Sequence, residues 1–386
     1  MIAASGGLAC ILNDEYEMFR SSVRSFGERI ADGYRQRALK DEFPREVYAQ
    51  LAAAGLIGLG VSEAHGGQGA DHLAQGIAVE ELARADFSAA YLVFSAASSG
   101  ALLERSCRQA HELLPRYVRG EIVTCLGLTE PGSGSDAAAM RTAAKPVDGG
   151  WQLRGEKTSV TCVAEADYAV VFAKTEKGPT AFLVDLNDAT VSRQRFQDPG
   201  ARPLGRGSIS LDGTFVPSER LLGEDGRGFQ LVMNEFDFTR VLLGLMCVGI
   251  AERAIELTVD YTKERMTFGR PLSTNQGVTF PIVEHLTRLE AARWLCYRAL
   301  SLRMAGRPHT KEAAMIKWWV PQLAVHAIQD CIVLHGHVGF SDEMPLQAML
   351  RDASSVLIGD GTAQIQKIIV AREVFGRDAT GKRSTK

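Results

Sequence analysis

No two of the seven cysteines stand at CxxC spacing. Cys10, Cys107, Cys125, Cys162, Cys247, Cys296 and Cys331 are scattered singly, and their number is odd. That pattern argues against a disulfide framework and for reduced, mostly buried thiols in a reducing, cytoplasmic setting. An excess of one charge is lacking too. Forty-three Lys and Arg against 46 Asp and Glu leave a formal charge of -3, which gives no reason to expect nucleic acid or a membrane surface as partner. The first residues, MIAASGGLACILNDEYEMF, carry no basic n-region and only a brief apolar patch, so neither a signal peptide nor a membrane span is read there. Thirteen prolines and 38 glycines are ordinary globular usage rather than low complexity. The tail from Arg377 to Lys386 is small, polar and basic, as a frayed end would be. What is present is core material: 386 residues, 46% hydrophobic, enough for two or three domains.

Three textures follow one another, with no internal repeat. From Asn13 to Gly120 the period is helical, with Phe19, Val23, Phe26 and Ile30 at three- and four-residue spacing. Pro44 opens a second short helix that Gly55 closes. Glu63 to Gly69 reads as a loop from its glycine density, and helices resume from Asp71 to about Val118. Between Ile122 and Pro217 short runs broken by Gly, Asp and Pro predict an antiparallel sheet or barrel. Its strands fall at Trp151–Thr158, Tyr168–Ala173, Ala181–Leu186 and Ser208–Val216. After Gly228 a long helix is marked by Val232, Phe236, Leu243, Ile250, Ala254, Leu257 and Tyr261. Amphipathic helices at Pro281–Met304, at Lys311–Leu334 and from near Thr362 complete a four-helix bundle. The expected fold is α+β and multidomain: an N-terminal α-helical domain (1–121), a middle antiparallel β domain (122–226) and a C-terminal four-helix bundle with a short tail (227–386).

The sharpest local feature is Gly127-Leu128-Thr129-Glu130-Pro131-Gly132-Ser133-Gly134-Ser135-Asp136. Gly132-x-Gly134-x-x-Ala137 formally fits a dinucleotide fingerprint, but a Rossmann turn needs a long helix after it. Here Lys145-Pro146 and Asp148-Gly149-Gly150 intervene before any helix is complete. What survives is a small-residue loop whose N–H groups and hydroxyls suit a flavin or a phosphate.

The segment resembles the first signature of the acyl-CoA dehydrogenase family. Other pieces agree in order: Glu63 to Gly69; Gly155-Glu156-Lys157 with Val160-Thr161; Phe236-Asp237-Phe238-Thr239-Arg240; Arg265-Met266-Thr267-Phe268-Gly269-Arg270-Pro271; the second signature from Gly336 to Asp352; and Gly361-Thr362-Ala363-Gln364-Ile365-Gln366. The likeness runs from about residue 13 to 376. It implies FAD as cofactor, lined by Leu126, Leu128, Thr129, Gly134 and Ser135, with Thr161 hydrogen-bonding the flavin ring and Ser159 beside it. Arg265, Thr267 and Gln276 would hold the FAD diphosphate of a neighbouring subunit, and Thr362 and Gln364 would touch FAD again. Ser135, Asp237, Arg240 and Gly361 would serve the thioester and its carrier arm; arginine suits that work because its charge survives burial. The resemblance also implies an acyl-CoA or acyl-carrier-protein thioester as substrate, electron-transfer flavoprotein as acceptor, and a homotetramer.

It implies a carboxylate base as well. Many members carry Glu just before Gly-Thr in the closing motif, and this chain has Asp360; the family's second base position, before Arg240, holds Thr239. By itself Asp-Gly-Thr is also a good helix start, with Asp360 or Thr362 as N-cap. Asp reaches about 1–1.5 Å less far than Glu, which points to a substrate seated closer, such as a branched or cyclic acyl group of the cyclohexane type, or to a different regiochemistry. Asp86 reads as a helix-end cap that, inside the acyl pocket, would be a second carboxylate. Departures from the family pattern are Val333 for a Gln that touches FAD, His337 for a Gly, Ser159 for an aromatic and Cys162 for an Asn. His335-x-His337 lacks a third ligand at sensible spacing, so no metal is expected. The rival readings are a carrier-protein-linked biosynthetic dehydrogenase, a catalytically retired flavin- and CoA-binding protein, and a relative that works as an oxidase or reductase.

Overall fold

The computed structural model describes residues 12–104 and 108–376. Cys10, Cys107, most of the N-terminal run and the basic tail lie outside the described residues. The chain enters through α1 (Asp14–Ala31), capped by Asn13, whose side chain accepts from the Tyr16 N–H. Val23, Phe26 and Ile30 are buried along one face, as their spacing predicts. A short α2 (Tyr34–Ala38) that periodicity does not signal precedes α3 (Arg45–Ala53), which starts behind Pro44. Gly55 follows at φ 75, the left-handed residue that helices commonly end on. The Glu63–Gly69 loop contains one 3-10 turn at Glu63–His65. Asp71 caps α4 (His72–Ala85) through the Ala74 N–H. Then come α5 (Phe87–Glu104) and α6 (Arg108–Val118). By length and composition α5 could cross a membrane, but most of it is packed inside the protein.

An eight-stranded sheet follows: β1 (Thr124–Gly127), β2 (Ala143–Val147), β3 (Gly150–Val160), β4 (Tyr168–Thr175), β5 (Gly178–Asp185), β6 (Val191–Arg195), β7 (Gly207–Pro217) and β8 (Leu221–Leu222). The strand order is β6-β7-β3-β2-β4-β5-β8, with β1 on β4. Most pairs are antiparallel, but β1 runs parallel to β4, and β2 meets β4 in parallel at Ala143 and Lys174. The short strands β1, β2, β6 and β8 are missed by periodicity because two to five residues carry too few alternations.

The bundle is α7 (Gly228–Glu264), the hairpin β9 (Met266–Thr267) and β10 (Arg270–Pro271), α8 (Gln276–Met304), α9 (Thr310–His335), the single turn α10 (His337–Phe340), α11 (Leu346–Val356) and α12 (Ala363–Phe375). Helix α8 begins at Gln276, so Pro281 lies inside its second turn and leaves one i→i−4 bond unmade rather than opening the helix. Helix α11, inside the second signature, is an element the sequence does not announce.

Buried polar contacts join the parts. Glu80 on α4 accepts from Arg293 on α8 (2.6 Å) and from Arg20 on α1 (3.2 Å). Asp352 on α11 accepts from the Tyr34 hydroxyl at 2.7 Å and from the Ala201 N–H at 2.6 Å. N-terminal helices, sheet and bundle therefore meet at one carboxylate.

Candidate active site

The centre is the turn after α11. Asp360 sits at φ 54 and Gly361 at φ 95. An aspartate held in the left-handed region costs of order 1 kcal/mol or more and persists only where neighbours over-determine it. Those neighbours are present: Arg240 Nε donates to the Asp360 carbonyl at 3.2 Å and Gln366 Nε2 does so at 3.0 Å. The Asp360 carboxylate does not cap α12. Its Oδ2 accepts from the Thr239 hydroxyl of α7 at 2.9 Å, while Thr362 occupies the N-cap without a side-chain capping bond. Thr239 and Asp360, the two candidate base positions, are thus in direct contact. Under the turn, Lys317 of α9 is buried and donates to the carbonyls of Val356 (2.7 Å) and Gly361 (3.2 Å).

Arg240 is buried and pairs with Asp237 at 3.0 Å, one turn earlier on α7. Burial lowers its pKa, with Asp237 and Asp360 opposing. The second Asp237 oxygen accepts from Thr310 at the start of α9. Thr310 also lines a cavity of about 350 Å³ with Arg298, Arg307, Lys311, Glu312 and Glu373.

The second wall comes from the sheet. The Lys157 ammonium, wholly inside the protein, pairs with Glu130 at 2.8 Å and donates to the Leu128 carbonyl at 3.0 Å. Glu130 also accepts from the N–H groups of Arg141 and Thr142. Burial opposes its ionisation, but Lys157 and these donors outweigh it and hold the carboxyl at about 2. The Leu128–Glu130 segment is so fastened to β3, helped by the Thr158 N–H donating to the Thr129 carbonyl at 2.8 Å. Beyond Lys157 the β3–β7 register shifts, and Ser159 (φ 60) and Cys162 (φ 64) turn the backbone around Thr161. Tyr91 of α5 is beside Thr161; burial and then the Asp360 charge raise its pKa above the phenol range, with Thr161 acting the other way. Arg206 donates to Ser159 Oγ at 2.8 Å and is paired with Asp198.

The result is a ledge of partly exposed Leu126, Thr129 and Thr161, with exposed Gly134, Ser135 and Ser159. A Cβ on Gly134 would meet nothing within 4 Å. Hydroxyls beside apolar edges on an open small-residue surface fit a flavin, whose ring is flat and apolar with a polar rim.

The remaining residues lie elsewhere. Arg265 follows α7, Thr267 is on β9 and Gln276 opens α8. Their hairpin packs on α7, and Phe268 at its tip is fully exposed. Among the described residues no hydrogen bond or ion pair joins these three to Thr161 or Asp360. Gln364 and Val333 are exposed on α12 and α9. Asp86 is a cap: Oδ1 accepts from the Ser88 and Ala89 N–H groups and Oδ2 pairs with Arg37, so it is not a free second carboxylate. His335 is buried, stacked on Tyr261 and bonded through Nδ1 to the Cys331 carbonyl. Sequence reasoning missed Tyr91, Arg206 and Lys317. Lys317 was legible in principle as a cation on the apolar stripe Ala313, Ile316 and Val320 of α9.

The chain is similar to known proteins over nearly its whole length. Residues 13–121, 125–214 and 226–375 match the N-terminal, middle and C-terminal domain models of acyl-CoA dehydrogenase. An acyl-CoA dehydrogenase of Bacillus subtilis (strain 168) is 33% identical over 95% of this chain and 99% of its own. This chain belongs to the acyl-CoA dehydrogenase family. Members of that family are flavin-dependent oxidoreductases with FAD as cofactor. Subunit CarC of the caffeyl-CoA reductase–Etf complex of Acetobacterium woodii is 31% identical over 93% of this chain and 98% of its own. The solved structure of butyryl-CoA dehydrogenase from Megasphaera elsdenii superposes with a TM-score of 0.90 at 30% identity, covering 94% of this chain and 99% of that one.

Proposed function

We propose that this acyl-CoA dehydrogenase desaturates an acyl thioester between its α and β carbons, with Asp360 as the base. The observation that carries the reading is the carboxylate's setting: a left-handed turn braced by Arg240 and Gln366, with Oδ2 on the Thr239 hydroxyl. That bond orients the carboxylate and leaves Oδ1 to receive the α-proton. An acyl group that displaces water from the site strengthens the base. The Asp360 backbone N–H polarises the thioester carbonyl, stabilising the enolate-like charge that develops. When bound, FAD supplies the acceptor for the β-hydride. Thr161, Ser159, Thr129, Leu126, Leu128, Gly134 and Ser135 hold it, and Arg265, Thr267, Gln276, Thr362 and Gln364 serve its remaining length, the first three from a neighbouring subunit of a homotetramer. Electron-transfer flavoprotein is the electron acceptor, and the compartment is the cytoplasm. The chain divides functionally at 121/122 and 226/227.

The cavity beside Thr310 is lined by Arg298, Arg307 and Lys311 together with Glu312 and Glu373, and Glu312 pairs with Arg298 at 3.2 Å and Lys311 at 3.8 Å; the remaining excess of cations favours the phosphates of coenzyme A over a carrier protein. Asp237, Arg240, Ser135 and Gly361 serve the arm. The short reach of Asp360, with Tyr91 beside Thr161, favours a compact branched or cyclic acyl group, cyclohexane-type included. A carrier-protein-linked biosynthetic enzyme and a catalytically retired binding protein are the alternatives.

Anaerobic titration of the purified holoenzyme with straight, branched and cyclic acyl-CoAs tests this. Bleaching of the yellow flavin is expected with at least one compact acyl group, and Asp360→Asn should slow it by about 10²–10⁴-fold. Bleaching by the variant at the normal rate sinks the base assignment, and no bleaching by any thioester favours the retired protein.

A further inference from the structure

Lys317 is a charged side chain in the middle of a helical bundle, 1% exposed. An ammonium stripped of water costs several kcal/mol unless its donors and its charge are both answered. Its donors go to the Val356 carbonyl at 2.7 Å and the Gly361 carbonyl at 3.2 Å. Val356 is the last residue of α11 and Gly361 follows Asp360, so the two acceptors bracket the turn that presents the base. No carboxylate lies within ion-pair distance of Lys317 among the described contacts. The charges and titratable groups that face it are Asp360 from the turn and Arg240 and Cys247 from α7. Of these only Asp360 is anionic.

We propose that Lys317 is a positioning residue for the base: its ammonium staples the turn from 356 to 361 and, from behind, holds Asp360 as a carboxylate facing the acyl site. The inference rests on Asp360 being the base. It assigns a task to a buried charge that the desaturation itself does not use. Two independent features support it. The anchored carbonyls are those of the turn, and apart from the Thr239 hydroxyl on Oδ2 the other bonds to that turn, from Arg240 and Gln366, go to backbone carbonyls, with Gln366 also reaching Gly361 at 3.3 Å. Burial lowers the Lys317 pKa to about 8, with Asp360 acting the other way, so the ammonium is still mainly protonated at neutral pH.

The deciding measurement is the protonation of Asp360 in the resting holoenzyme. It is read from the infrared carboxylic-acid C=O band that disappears in Asp360→Asn. In Lys317→Gln, which keeps an N–H donor without the charge, that band should persist to higher pH by roughly one unit. Lys317→Met should move it as far and also broaden it, because the turn loses its anchor; Lys317→Arg, if it folds, should leave it where the wild type has it. In anaerobic flavin bleaching, the acid limb of the rate profile should move by the same amount in the Gln variant. An unmoved Asp360 band in both Gln and Met variants overturns the proposal, as does a rate loss that is uniform across pH. The infrared titration needs no substrate. Failure of every acyl-CoA to bleach the wild type would therefore count against the dehydrogenase reading, while the band would still decide the role of Lys317.

Discussion

The Thr239 hydroxyl donates to Asp360 Oδ2 at 2.9 Å, across 121 residues of sequence. A hydrogen bond to an ionised group contributes about 1.5–3 kcal/mol, and this one favours the carboxylate and restricts its rotation. Thr239→Val should therefore move the acid limb of anaerobic flavin bleaching to higher pH and slow the plateau by roughly tenfold, a cost near 1.4 kcal/mol. Thr239→Ser should restore both. A valine variant with an unchanged profile would show that the bond does not act on the base.

Asp352 behaves in the opposite sense. Burial raises its pKa to about 6, against hydrogen bonds from the Ala201 N–H and the Tyr34 hydroxyl that favour the ionised form. A carboxyl whose folded value lies above its unfolded value contributes stability that is fully present below the unfolded value and lost as pH rises through about 6. At pH 8 the wild type lacks that contribution, which amounts to about 3 kcal/mol. Asp352→Asn, which stays neutral and can still accept from Ala201, should melt above the wild type at pH 8 and lose that advantage toward pH 4. Calorimetry across this range checks the crossover, and a difference that does not depend on pH would refute it.

How much of this was legible in sequence depended on residue spacing. The apolar stripe of α1 and the long runs of α7 and α9 were readable because many turns repeat one pattern. Helix α11 was not, because its eleven residues sit inside a motif read for its chemistry, and the parallel pairing of β1 with β4 joins residues 44 apart. The same holds in the site. Asp360 was found from its motif, but whether it capped a helix or faced Thr239 depended on one left-handed backbone angle. Lys317 and Tyr91 reach the turn and Thr161 from other helices, and no local pattern encodes that approach.

The Lys157–Glu130 pair offers a test of the ledge. Removing one member of a buried ion pair leaves the other charge unanswered and costs about 3–5 kcal/mol. Lys157→Met should lower the melting temperature, and because the Leu128–Glu130 segment then loses its link to β3, it should also shed FAD on gel filtration. The double variant Lys157→Met/Glu130→Gln should recover most of the stability and less of the flavin. Full flavin retention in the single variant would mean that the ledge does not hold the cofactor.

Contact between positions 239 and 360 also makes the base movable. A glutamate at 239 would start from the same helix face of α7 and project its carboxylate into the space that the Thr239 hydroxyl and Asp360 Oδ2 now share. Its extra reach of about 1–1.5 Å over aspartate offsets the change of origin. Asp360→Ser alone should abolish rapid flavin bleaching, since serine accepts no proton at neutral pH. Thr239→Glu/Asp360→Ser should restore part of it, with an acyl preference different from the wild type because the α-carbon is approached from another backbone. Thr239→Glu alone should be impaired by two carboxylates in contact, one of which must stay protonated. The comparison of the four proteins under single-turnover conditions is decisive in one respect: if the double variant is as inactive as Asp360→Ser, the carboxylate at 360 is needed for its position and not only for its basicity.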